Sequence, residues 1–204
     1  VIVFGTGQML SDEDRASTDT QSIYGIHDRD GPAPVAAGRS ALLKQAIDPA
    51  SVGTASGRKL WTSTNHALAG QDEDLKHGWY LDLPEISERV IANPVEYEGK
   101  LVDILSTAPP AAFRKSPPPE SCEPPAVLKF RTTLNALDGA RPRSELYGDA
   151  TSPFNAARVE LGNEPSVQIN RGQQTRTIGL DGKEEAPRQR LGQVARRAAW
   201  RQLQ

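Results

Sequence analysis

The chain has 204 residues, 37% hydrophobic, 25% charged and 5% aromatic, with 16 prolines, 17 glycines and a formal net charge of −2. That composition supports one modest core and excludes a helical bundle or a coiled coil, and no apolar run is long enough for a membrane-spanning helix. The small net charge gives no reason to expect nucleic acid or a membrane surface, although residues 1–100 carry 9 basic and 15 acidic side chains and residues 171–204 carry 8 and 3.

Val1-Ile2-Val3-Phe4 is a β-branched run ended by Gly5-Thr6-Gly7, the pattern of a buried strand meeting a tight turn. Asp12 to Thr20 is too polar for a core and reads as a surface loop, after which Ser22-Ile23-Tyr24-Gly25-Ile26 predicts a second strand, hairpinned to the first. Ser40 to Ile47 has an N-cap residue and apolar residues at helical spacing, which predicts a short helix stopped by Pro49. Short strands are predicted over 59–64, 79–83 and 89–92. Val95 to Tyr97 and Leu101 to Leu105 flank a Gly-containing turn and predict a hairpin.

Residues 109–125 hold seven prolines in 17 positions, so they form a loop that cannot ladder into a sheet. Val127 to Leu137 predicts one or two strands, and short strands follow at 164–169 and 175–180. Arg188 to Gln204 has helical spacing at Leu191, Val194, Ala195 and Ala198. The reading is all-β, with short antiparallel strands, long loops and a minor helix; a sandwich, a barrel or a propeller would each fit. Residues 1–147 bear the strands, with the Pro-rich loop 109–125 inside them, and 148–204 read as a polar C-terminal extension with a basic tail.

No catalytic, cofactor-binding or metal-ligating residue is assigned. Asp12-Glu13-Asp14, Asp28-Arg29-Asp30-Gly31 and Asp72-Glu73-Asp74 all lack the ligand spacing of an EF-hand-type calcium loop. His27, His66 and His77 show no zinc spacing, Cys122 is the only cysteine, and no Gly-x-Ser-x-Gly elbow is present. Gly5-Thr6-Gly7-Gln8 lacks the third glycine of a dinucleotide site, so its glycines serve a sharp turn or a close backbone approach. Trp61, Trp79 and Trp200 are core candidates, with Trp200, among Arg196, Arg197 and Arg201, the one that could instead anchor a surface contact.

Three blocks in order carry a resemblance. The first is Val3-Phe4-Gly5-Thr6-Gly7, Asp14 and Gln21-Ser22-Ile23-Tyr24-Gly25-Ile26-His27-Asp28, followed by Leu42-Leu43-Lys44-Gln45. The second is Gly78-Trp79-Tyr80-Leu81-Asp82-Leu83 with Glu88-Arg89-Val90-Ile91, Pro94 and Gly99. The third is Thr107, Pro109, Cys122 and Leu134-Asn135-Ala136-Leu137-Asp138, and the chain closes on Arg197-Ala198-Ala199-Trp200-Arg201-Gln202-Leu203. Together they resemble the C-terminal region of the PilY family of type IV pilus biogenesis proteins and tip-associated adhesins. Two departures stand out: Glu123-Pro124-Pro125 where members have Gly-Gly, and Asp103 inside an expected apolar strand.

The resemblance implies a partial, modified β-propeller whose remaining blades lie upstream, with any calcium loop in that upstream part and no cofactor in this segment. It implies export to the cell surface, in association with the pilus or outer membrane, and a non-enzymatic role in pilus assembly, twitching and adhesion. The implied partners are the rest of the propeller, minor pilins and the pilus machinery, and an unspecified surface receptor. Gly5, Gly7, Trp79, Asp82, Glu88, Arg89 and Trp200 are expected to hold blades together, with Glu88 or Asp82 pairing with Arg89 or an upstream strand. The competing readings are a propeller enzyme of quinoprotein-dehydrogenase type and a generic secreted binding module.

Overall fold

Ile2–Gly5 (β1) and Ser22–Ile26 (β2) pair antiparallel, with Phe4 opposite Tyr24 and Gly5 opposite Ile23. In the computed structural model, which describes residues 1–28, 38–55, 57–68, 76–97, 100–110, 127–147, 155–161, 166–171 and 174–179, this hairpin begins a four-stranded sheet. Gly78–Asp82 (β6) pairs antiparallel with β2, and Leu43–Gln45 (β3) pairs parallel with β6, giving the order β1-β2-β6-β3.

A second sheet has six strands. Ile47–Ala55 (β4) and Arg58–Ser63 (β5) form a bulged hairpin at one edge, and Val95–Tyr97 (β7) and Leu101–Ala108 (β8) form the other. Leu128–Asn135 (β9) pairs with β8 along its whole length. Arg158–Glu160 (β10) joins the halves, pairing antiparallel with β5 on one side and β9 on the other. Thus residues that the sequence reading puts in the C-terminal extension form an internal strand of this sheet. Ser166–Arg171 (β11) and Gln174–Gly179 (β12) make a separate hairpin.

Alternation along the strands sorts side chains to two cores. Ile23, Trp79 and Leu81 of the first sheet pack against Val102, Ile104 and Leu134 of the second, with Val90 and Ala157 between them. On the far side of the six-stranded sheet, Leu60, Tyr97 and Val159 pack with Leu146 and Tyr147. Among the described residues the fold is all-β, as expected, with one short α-helix, and neither large sheet closes on itself, consistent with a partial propeller.

Several local expectations are corrected. The helix predicted over 40–47 is a 3-10 turn at Gly38–Ala41 followed by β3 and β4. Gln45 explains it: buried and extended, its amide donates to the carbonyls of His66 and Asp138 and accepts from Thr64 Oγ1 and the His66 N–H. Tertiary hydrogen bonding outweighs a weak helical preference there. Pro49 lies in β4, an edge strand whose register shifts between Ile47 and Val52, where a missing N–H costs no ladder bond.

The polar stretch at 12–20 contains a helix, Asp12–Ala16 (α1), begun by a capping box in which Ser11 and Asp14 each accept from the other's backbone N–H. The strand predicted over 89–92 is one bridge, Arg89 with Thr107, because the Val90 N–H turns to the Thr6 carbonyl. The Pro-rich stretch from 111 on, Cys122 and the segment 188–204 with Trp200 lie outside the described residues.

Candidate functional site: the junction between the two sheets

Trp79 holds the first sheet to the second. Its indole is fully buried, and Nε1 donates to the Ala136 carbonyl at 2.9 Å. Glycine makes room on both sides: a Cβ at Gly25, its cross-strand neighbour, or at Gly139 would overlap the indole. Gly139 also has φ of +65°, a left-handed conformation that glycine adopts at no steric cost. Two more side chains of the first-sheet region reach the same turn. His27 Nε2 is 2.6 Å from the Leu137 carbonyl, a donation that requires the Nε2–H form, and Gln45 Nε2 donates to the Asp138 carbonyl at 2.9 Å. Three consecutive carbonyls, 136 to 138, thus each receive a side chain from across the junction.

The connection between β6 and β7 fills the middle of the junction. Glu88 is 1% exposed, and its carboxylate takes both terminal nitrogens of Arg158, at 2.7 and 2.9 Å. Ser106 Oγ donates to the same carboxylate at 2.5 Å and the Glu85 N–H at 3.1 Å, so each oxygen accepts two bonds. The Arg158 guanidinium lies 3.7 Å over the Phe130 ring, which meets Trp61 in a T-shaped contact at 6.2 Å. This is how a buried ion pair becomes tolerable: bidentate geometry, further donors for the remaining lone pairs, and an aromatic face for the cation.

On the opposite face of the same sheet, Asp103 and Arg131 form a second buried pair, 3.2 Å apart, and Thr133 Oγ1 donates to Asp103 at 2.9 Å. Asp103, which reads in the sequence as a break in an apolar strand, is therefore a paired charge within β8.

Arg89 points the other way. It is 2% exposed, and among the described residues its guanidinium donates only to carbonyls: those of Gln8, Asp14 and Ser17 in the β1–β2 loop, and that of Ser87. Burial pushes this guanidinium down from its ordinary pKa, with the charge of Asp14 opposing the shift. Gly5 and Gly7 let the loop approach: a Cβ at Gly5 would overlap Val90 and one at Gly7 would overlap Arg89. The expected pairing of Glu88 or Asp82 with Arg89 is corrected accordingly, since Glu88 goes to Arg158 and Asp82 to Arg39.

Asp82 lies on the outer face of the first sheet. It accepts from Ser22 Oγ at 2.7 Å and from Arg39 Nη2 at 2.5 Å, with Lys44 at 3.8 Å. Partial burial alone would raise its pKa, but the hydrogen bonds from Ser22 and Arg39 and the two cations hold it below the usual carboxylate range. Arg39 also lies over the Tyr80 ring at 4.4 Å, beside a row in which Phe4, Tyr24 and Tyr80 stack at 5.4 and 6.2 Å.

Of the residues singled out in the sequence, Gly5, Gly7, Trp79, Glu88 and Arg89 meet at the junction, Asp82 stands outside it, and Trp200 is not among the described residues. The sequence reading gives no role to Arg158, Arg131 or Gln45. A signal existed for the two arginines, because a charge inside an apolar strand must have a partner. Among the described residues no group of three or more His, Cys, Asp or Glu side chains is placed to hold a metal ion, and no helix is long and apolar enough to cross a membrane.

No protein-family model matches the chain. In sequence it is 28% identical over 195 residues to the type IV pilus biogenesis factor PilY1 homolog of Xylella fastidiosa (strain Temecula1), a match covering 93% of this chain and 12% of that protein. In fold it is similar to the crystal structure of the Pseudomonas aeruginosa PilY1 C-terminal domain, with a TM-score of 0.62 and 18% identity, over 91% of this chain and 41% of that one. The chain therefore spans a small part of the curated relative and less than half of the solved domain. The sequence match bears out the resemblance to the PilY family, and the fold match is to a PilY1 C-terminal domain.

Proposed function

From this likeness to the C-terminal region of the PilY family, we propose that the chain is part of a type IV pilus biogenesis factor and acts there as a non-enzymatic scaffold at the cell surface. The observation that carries the reading is the sequence match over 93% of the chain to a protein named for pilus biogenesis. The open sheets favour its working as part of a propeller that also uses sheets from elsewhere in a longer polypeptide. Pilus assembly proteins are the partners, and adhesion and support of twitching follow from surface presentation.

Saturation of the junction charges supports a role in contact over one in catalysis. A general acid or base needs a proton-exchanging group that substrate can reach. Both oxygens of Glu88 are filled, and the Arg89 guanidinium is spent on backbone carbonyls.

The test is in-frame removal of residues 1–161 from the parent gene, with surface pili counted by shearing and twitching measured as colony spread. The reading expects both to be lost and to return on complementation. Normal pili and twitching in a strain shown to lack the segment would overturn it.

A further inference from the structure

We propose that residues 8–17, the loop carrying α1, form a strap that opens as one unit, with Arg89 as its clasp and Gly7 as its hinge. This does not rest on the pilus reading. Inside the strap, Asp14 organises the chain: its carboxylate accepts from Gln8 Nε2 at 2.8 Å and from the Leu10 and Ser11 N–H groups at 2.9 and 3.0 Å, while Ser11 caps α1. The strap is thus held in shape by its own hydrogen bonds.

Its fastening to the rest of the protein is of another kind. Among the described residues, the hydrogen bonds that tie 8–17 to the sheets end on two neighbouring side chains. Arg89 reaches the carbonyls of Gln8, Asp14 and Ser17, and Ser87 Oγ reaches the Ser17 carbonyl at 2.8 Å. No residue of α1 is buried, Leu10 is 88% exposed and Met9 is only half-buried, so little apolar contact adds to these bonds. Gly7, with φ of +115°, stands where the strap leaves the hairpin and can absorb a large backbone rotation. A preformed segment fastened at one place, by Arg89 and its neighbour Ser87, with little buried surface belongs to the low-stability end of a fold, where opening is local.

Opening has a defined consequence. Between the strap and residues 90–94 lies a cleft of about 350 Å³, lined on the strap side by Gly7, Gln8, Met9 and Leu10. Swinging the strap away widens that cleft and bares the Arg89 guanidinium, a buried donor set that opening presents to solvent.

Once unfastened, a helix as short as α1 does not persist in water, so opening frees its amides, and hydrogen–deuterium exchange on the intact protein tests this at the amides of Leu10, Ser11, Asp14, Arg15 and Ser17. In the wild type these amides are expected to exchange with little dependence on low urea, while β8 and β9 amides show the steep dependence of global unfolding. Arg89→Met is expected to speed the strap amides by at least about tenfold and leave β8 and β9 unchanged. Strap amides that follow the same urea slope as β8 and β9 would overturn the proposal, and so would an Arg89→Met protein with unaltered strap exchange. Where Arg89→Met does not fold, Ser87→Ala, which removes the Oγ bond to the Ser17 carbonyl, takes its place: it is expected to speed the same amides, and unaltered strap exchange would again overturn the proposal.

Discussion

Glu88 and Arg89 are adjacent in sequence, yet their side chains bind opposite parts of the molecule. Glu88 enters the six-stranded sheet and meets Arg158, whereas Arg89 turns back and grips the β1–β2 loop of the four-stranded one. Two consecutive residues therefore couple both sheets through one short connection, with both charges out of solvent.

Removing one charge of the Glu88–Arg158 pair should cost far more than removing both. Glu88→Leu leaves a buried, uncompensated guanidinium and is expected to lower unfolding stability by about 3–5 kcal/mol. Glu88→Leu combined with Arg158→Met should recover most of that loss, because two apolar side chains of similar size replace a desolvated pair. Urea unfolding of the three proteins provides the check, and a double variant as weak as the single one would count against it.

Trp79 and Gly25 should behave as one unit. Trp79→Ala is expected to cost about 3–5 kcal/mol through lost burial and the cavity left behind. Gly25→Ala drives a methyl group into the indole and should cost about 1–3 kcal/mol. With Trp79 already replaced, Gly25→Ala should cost much less, since the obstructing ring is gone. Additive effects in this double-mutant cycle would show that the two do not share the site.

Asp82 predicts a pH dependence. Its folded pKa lies below its unfolded value of about 4, so its contribution to stability is fully present above that unfolded value and is lost as pH falls through the folded one. Asp82→Asn should lower the thermal midpoint at neutral pH and narrow its gap to the wild type as the medium is acidified. A gap that stays constant down to about pH 2 would remove Asp82 from the acid response.

Lys100 sits at φ of +65° in the β7–β8 turn, a conformation that is unfavourable for a residue with a Cβ. Lys100→Gly is expected to raise stability by about 0.5–1 kcal/mol, while Lys100→Ala should bring no gain because the strain remains. Equal effects of the two substitutions in thermal unfolding would place the cause in the lysine side chain.

Much of the architecture is legible along the chain. The runs at Val1–Phe4, Ser22–Ile26 and Trp79–Leu83 and the hairpin around Gly99 carry their strand signals locally, in β-branched alternation and turn residues. Ser11 and Asp14 also announce a capping box, so α1 was readable within an otherwise polar loop. By contrast, the segment 40–47 misleads, because its extended form depends on what Gln45 meets at His66 and Asp138, and local spacing carries no trace of those partners.

By itself, then, the order of residues determined an all-β chain and the glycines and tryptophan on which its sheets converge, since strand preference and backbone permissiveness are properties of neighbours in sequence. Only the tertiary structure decided who pairs with whom. Glu88 and Arg158 lie 70 residues apart, and these two charges leave water because each distant segment supplies the other's opposite charge, with further hydrogen bonds completing the carboxylate.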